Sequence, residues 1–105
     1  LSARDIRDIA GYFASRPPPK AVQVTDPDKA AAGERRVTEL KCASCHGPNF
    51  AGAKAVPRLA GQTTGYLVRQ MEAFAQGRRS HPPAETPFDR IGDVQAIAQY
   101  FAAAR

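Results

Sequence analysis

Two thiols three positions apart, followed at once by an imidazole, make Cys42-Ala43-Ser44-Cys45-His46 the stretch of this 105-residue sequence best suited to chemistry. C-x-x-C-H is the spacing at which both thiols add across the vinyl groups of one haem while the next residue ligates its iron. The macrocycle is rigid, so both thioethers must sit on one side of the chain. One turn of backbone between Cys42 and Cys45 does that and leaves His46 under the metal. A C-x-x-C pair also occurs in redox dithiols and in zinc sites. A structural zinc site needs four Cys or His ligands in paired clusters, and the other histidine, His81, is distant. A thioredoxin-like dithiol needs strands alternating with helices, and strand patterning is almost missing here. The expectation is one covalently bound haem c, which consumes both cysteines and leaves none for a structural disulfide.

The elements that must position this motif read as helices. Asp26 is an N-cap with Pro27 at the first helical position, and the helix runs to about Lys41. A glycine- and proline-bearing loop follows the motif from Gly47 to Gly61. Thr63 or Thr64 starts the next helix, with Leu67, Met71 and Phe74 on one face and Gly77 as its stop. A polar, proline-rich loop fills residues 78–90, and a last helix runs from Ile91 to about Ala104. The fold class is all-α.

An internal echo sets the domain plan. Asp5-Ile6-Arg7-Asp8-Ile9-Ala10-Gly11-Tyr12-Phe13-Ala14 parallels Asp93-Val94-Gln95-Ala96-Ile97-Ala98-Gln99-Tyr100-Phe101-Ala102 at a constant offset of 88 residues, from Asp5 to Asp93. Both are amphipathic, with apolar residues at i, i+3, i+4 and i+7. A period close to the chain length marks residues 1–16 as the last helix of a preceding copy and residues 27–105 as a full copy. Residues 17–26 join them, since Pro17-Pro18-Pro19 cannot continue a helix.

A chain of this length makes one small domain, and a haem adds an apolar plate around which short helices can pack. Fifteen Lys and Arg against ten Asp and Glu give a formal charge of +5. These basic residues are scattered, with Arg35-Arg36 and Arg78-Arg79 the longest clusters, so the pattern is a solvated surface and not a nucleic-acid footprint. The mild excess favours acidic protein partners or anionic surfaces. Covalent haem attachment takes place outside the bacterial cytoplasm, so a periplasmic or membrane-facing address is expected. Leu1 opens directly on an amphipathic pattern without a signal peptide, which fits a removed leader or a piece of something longer.

The sequence resembles class I cytochromes c, and most closely the second half of a dihaem cytochrome of the c4 type. The stretches that carry the resemblance are Cys42–Pro48, Pro57-Arg58-Leu59-Ala60-Gly61-Gln62, Tyr66–Phe74, Gly77-Arg78-Arg79 and Ala98-Gln99-Tyr100-Phe101. It implies the class I cytochrome c fold, preceded here by an extra N-terminal helix. It also implies a periplasmic electron carrier of two linked haem domains, often membrane-associated, that passes electrons to a terminal oxidase or takes them from a dehydrogenase. By the same resemblance His46 is the proximal ligand, the Pro57 carbonyl accepts from its second ring nitrogen, and Arg58, Gln62 and Tyr66 lie at the haem edge or propionates.

The sequence departs from this family at the sixth iron ligand. Related domains use a methionine in the loop before the last helix, but here that loop reads Ser80-His81-Pro82-Pro83-Ala84-Glu85-Thr86-Pro87-Phe88. Ala84 or Glu85 falls at the ligand position. Met71 lies 25 residues beyond His46, inside the Leu67/Phe74 stripe, where a thioether is expected to fill the core. His81 is the distal candidate, with an open site, Glu85 and Met71 as alternatives. Electron transfer is the expected function. A distal site for small-ligand binding or catalysis, or a wiring domain of a larger oxidoreductase, are the competing readings.

Overall fold

The computed structural model describes residues 1–17, 25–82, 88 and 91–104. Five helices follow one another: α1 (Ala3–Ser15), α2 (Pro27–Leu40), the one-turn α3 (Ala43–His46), α4 (Thr64–Ala75) and α5 (Ile91–Ala103). No strand occurs among the described residues, and the all-α expectation holds. None of these helices is long and apolar enough to cross a membrane. Most of the expected linker, residues 18–24, lies outside the described residues, as do Ala84 and Glu85.

Local chemistry explains the helix starts. The Asp26 side chain accepts from the Asp28 and Lys29 amides and Pro27 follows at the first position, where its missing N–H costs nothing. Thr63 caps α4 by accepting from the Tyr66 amide. In α1, Ser2 and Asp5 form a reciprocal capping box.

The core is the meeting of α2, α4 and α5. Val37 of α2, Leu67 and Met71 of α4, and Val94, Ile97 and Phe101 of α5 are all buried in one cluster. At the α2–α5 crossing the helices approach so closely that a Cβ added to Gly33 would lie 2.0 Å from the Ala96 carbonyl oxygen. Only a residue without a side chain fits there. At the rim of the crossing, Arg36 bridges Asp93 of α5 at 3.1 Å and Glu39 of its own helix at 2.9 Å. The Asp26 amide donates to the Gln99 side chain at 2.9 Å, tying the start of α2 to α5 as well. Helix α1 stands apart: all of its residues are exposed.

Candidate functional site

The motif is delivered by the end of α2. Lys41 turns left-handed, with φ 58°, and its amide caps Thr38 and Val37 while the Cys42 amide also donates to Val37 O. The chain then winds into the single turn of α3, stapled by the Ser44 hydroxyl, which donates to Lys41 O at 2.7 Å. Cys42 is half-buried and Cys45 exposed, and neither is in a disulfide. Burial pushes the Cys42 thiol above its ordinary pKa.

His46 closes the turn and is buried, with 8% of its surface accessible. Its Nδ1 lies 2.8 Å from the Pro57 carbonyl oxygen. A carbonyl only accepts, so Nδ1 carries the proton and Nε2 is left with its lone pair free for a metal.

The loop that brings Pro57 back to His46 is held by backbone bonds. The Gly52 amide donates to His46 O, and Ala53 and Val56 exchange two hydrogen bonds in a tight turn. Gly52 has φ +77°, and a Cβ there would fall 2.5 Å from Val56 O. Phe50 O accepts from both Leu59 N and Ala60 N, and Gly61 N donates to Phe101 O of α5. The Phe50 ring meets Phe101 edge-on at 4.9 Å and Tyr100 at 5.8 Å. Phe50 was not singled out in the sequence, where an isolated aromatic in a glycine-rich loop carries no periodicity.

Arg58 and Gln62 come together on this loop. Arg58 Nε donates to Ala60 O at 2.9 Å, and the Gln62 amide group donates to Arg58 O at 3.4 Å. Tyr66, on the first turn of α4, is exposed.

Opposite His46 stands His81. Its ring centre is 6.3 Å from that of His46, and the planes differ by 20°. Phe74 and Phe88 flank it edge-on at 4.8 and 5.1 Å. The chain reaches this place because Gly77 turns it at the end of α4, with Ala73 O accepting the amides of Arg78 and Arg79. Burial, then the neighbouring His46, hold the His81 imidazole below its ordinary pKa, which favours the neutral ring. Met71 is buried beside Leu67 in the core cluster, as its helical stripe implied.

The comparisons agree with this architecture. The family model for cytochrome c matches residues 30–101. Cytochrome c4 of Azotobacter vinelandii is 36% identical over 115 residues, covering 95% of this chain and 54% of that protein. A thiosulfate dehydrogenase electron acceptor of Stutzerimonas stutzeri is 41% identical over 81 residues, covering 68% of this chain and 35% of that protein. The crystal structure of reduced recombinant cytochrome c4 from Pseudomonas stutzeri superposes with a TM-score of 0.79 at 29% identity, over 100% of this chain and 62% of that one. The chain spans about half the length of the cytochrome c4 relatives it matches. A His46 imidazole with its tautomer set, two unpaired thiols on the adjoining turn and a matching family model over most of the sequence lead to one conclusion. The chain belongs to the cytochrome c family, and it is an electron-transfer domain whose cofactor is covalently bound haem c.

Proposed function

We propose that Cys42 and Cys45 hold the haem through thioethers, that His46 is the proximal ligand, and that residues 27–105 form one carrier domain of a longer periplasmic protein. The 2.8 Å contact between His46 Nδ1 and Pro57 O is the observation that carries this reading. It turns a histidine next to two thiols into an oriented metal ligand, because the carbonyl fixes the tautomer and raises the basicity of the other nitrogen. When bound, the haem supplies a one-electron iron couple. The protein's part is to hold His46 rigidly, through the Gly52 turn and the Phe50 clamp, and to keep the core side of the site dry.

Arg58, Gln62 and Tyr66 serve the haem edge in this proposal. Among the described residues Arg58 donates Nε to Ala60 O, and its terminal nitrogens suit an anionic propionate. Residues 1–16 are the closing helix of a preceding cytochrome domain, an assignment supported by their echo of α5 and by the length of the relatives. In this reading the donor is a dehydrogenase, of the kind named by the relative called a thiosulfate dehydrogenase electron acceptor, and the downstream acceptor is the terminal oxidase that the resemblance to c4-type cytochromes implies.

The test is expression with a cytochrome maturation system, followed by denaturing electrophoresis, haem staining and mass spectrometry. A stained band carrying one haem adduct is expected, weakened or lost in Cys45→Ala. A wild-type chain without an adduct would overturn the assignment.

A further inference from the structure

We propose that His81 is the second axial ligand, so that the iron is held between two histidines and its sixth position is closed. The inference deepens the reading above and rests on His46 being the proximal ligand.

The spacing of the two rings is the first argument. Two metal–nitrogen bonds of about 2 Å, added to the radii of two five-membered rings, give a centre-to-centre separation of roughly 6.4 Å. The observed separation is 6.3 Å. A direct N–H···N hydrogen bond between end-on imidazoles would draw the centres to about 5.2 Å. Stacked rings in van der Waals contact would be closer still. The gap is longer than either form of direct contact and leaves room for one interposed metal ion.

The surroundings of His81 supply the second argument. Its Nδ1 is buried and has no hydrogen-bond partner among the described residues. A buried imidazole nitrogen without a partner is uncommon in folded proteins and calls for an explanation. No protein group holds the ring in a competing hydrogen bond at that atom, while Phe74 and Phe88 hold it in place by packing. The two rings also come within 6.3 Å of each other from separate elements, the motif helix and the turn after α4. Neither belongs to the other's local structure, so their alignment is a product of the tertiary fold.

The third argument removes the usual alternative. Met71 is the only methionine. It is buried with Leu67 and Phe101 in the α4–α5 core, and turning its sulfur to a metal would empty that position. A histidine pair gives a lower potential than a histidine–methionine pair, and a closed sixth position keeps small ligands off the iron. Both consequences suit an outer-sphere electron carrier.

The experiment compares purified holoprotein with His81→Ala and His81→Met. The wild type is expected to be low-spin in both oxidation states, to lack the sulfur-to-iron charge-transfer band, and to bind carbon monoxide slowly when reduced. Near-infrared magnetic circular dichroism should report two nitrogen ligands. In His81→Ala the oxidised spectrum should turn high-spin and carbon monoxide binding should rise on the order of tenfold or more, since the internal competitor is gone. If that variant does not accumulate, His81→Met decides: its potential should shift upward and the sulfur band should appear. A haem-loaded wild type that is high-spin or binds carbon monoxide rapidly would overturn the His81 assignment while leaving haem attachment intact. So would a His81→Ala protein with an unchanged low-spin spectrum. A chain without haem in every variant would overturn the attachment itself, and the two failures are thereby told apart.

Discussion

Helices α1 and α5 carry nearly the same residues in the same order, and the fold treats them in opposite ways. Phe101 is 3% accessible and its counterpart Phe13 is 68%; Ile97 is 4% and Ile9 is 47%. The difference is not one of propensity. Helix α1 is well formed, with a capping box at its start and a Tyr12–Phe13 edge contact along it. Among the described residues it has no surface to cover, whereas α5 has α2 on one side and α4 on another. An amphipathic stripe thus states that a helix must be buried, and the surrounding chain decides where. In our proposal the surface for α1 is the preceding domain.

The largest effect expected from breaking the comparison comes from paired truncations. Phe101→Ala should cost about 3–5 kcal/mol, because it empties the core beside Phe50 and the proximal loop. Phe13→Ala should change stability by only about 0.5 kcal/mol or less in this chain. Denaturant unfolding of the two holoproteins, followed by absorbance and far-ultraviolet circular dichroism, checks both. Equal losses would mean that α1 is part of the same cooperative core.

A smaller and more local effect is expected at Gly33. Gly33→Ala forces a methyl group onto the Ala96 carbonyl and should destabilise by at least the 1–3 kcal/mol typical of an overpacked core. Thermal unfolding of the holoprotein measures it. An unchanged midpoint would show that α2 and α5 can move apart freely.

The smallest effect has the opposite sign. An added Cβ at Gly11 meets nothing within 4 Å, so Gly11→Ala should raise the helicity of α1, by roughly 0.5–1 kcal/mol of local helix stability. It should leave the unfolding midpoint of the haem domain where it is. Deletion of residues 1–17 should likewise preserve the haem spectrum. A marked fall in thermal stability on deletion would contradict the separate origin of α1.

How much of this was legible in the sequence follows the range of the forces involved. Asp26-Pro27 and Thr63 marked helix starts because capping is a contact between residues two or three apart. The Cys42–Cys45–His46 spacing and the core role of Met71 were legible for the same reason, through one helical turn and one helical stripe. The end of α2 was placed within a residue, but the left-handed turn at Lys41 was not foreseen, since no glycine signals it. Gly33 was passed over because its meaning depends on Ala96, more than sixty residues away. Phe50 and Phe88 were equally silent. Their neighbours come from α5 and from the turn after α4, and no period connects them.

The two halves of the site are held by different kinds of bond. On the His81 side the ring is kept by aromatic packing. On the His46 side Phe50 O takes the amides of Leu59 and Ala60 together, and Gly61 N is tied to Phe101 O one step further on. Such a loop does not open one residue at a time: freeing Gly61 means lifting the segment off α5, and freeing Leu59 or Ala60 means parting them from Phe50, whose ring packs on Phe101. In amide-exchange terms, Leu59, Ala60 and Gly61 should exchange with solvent on the timescale of α5 itself, slow enough to count as part of the same folding unit.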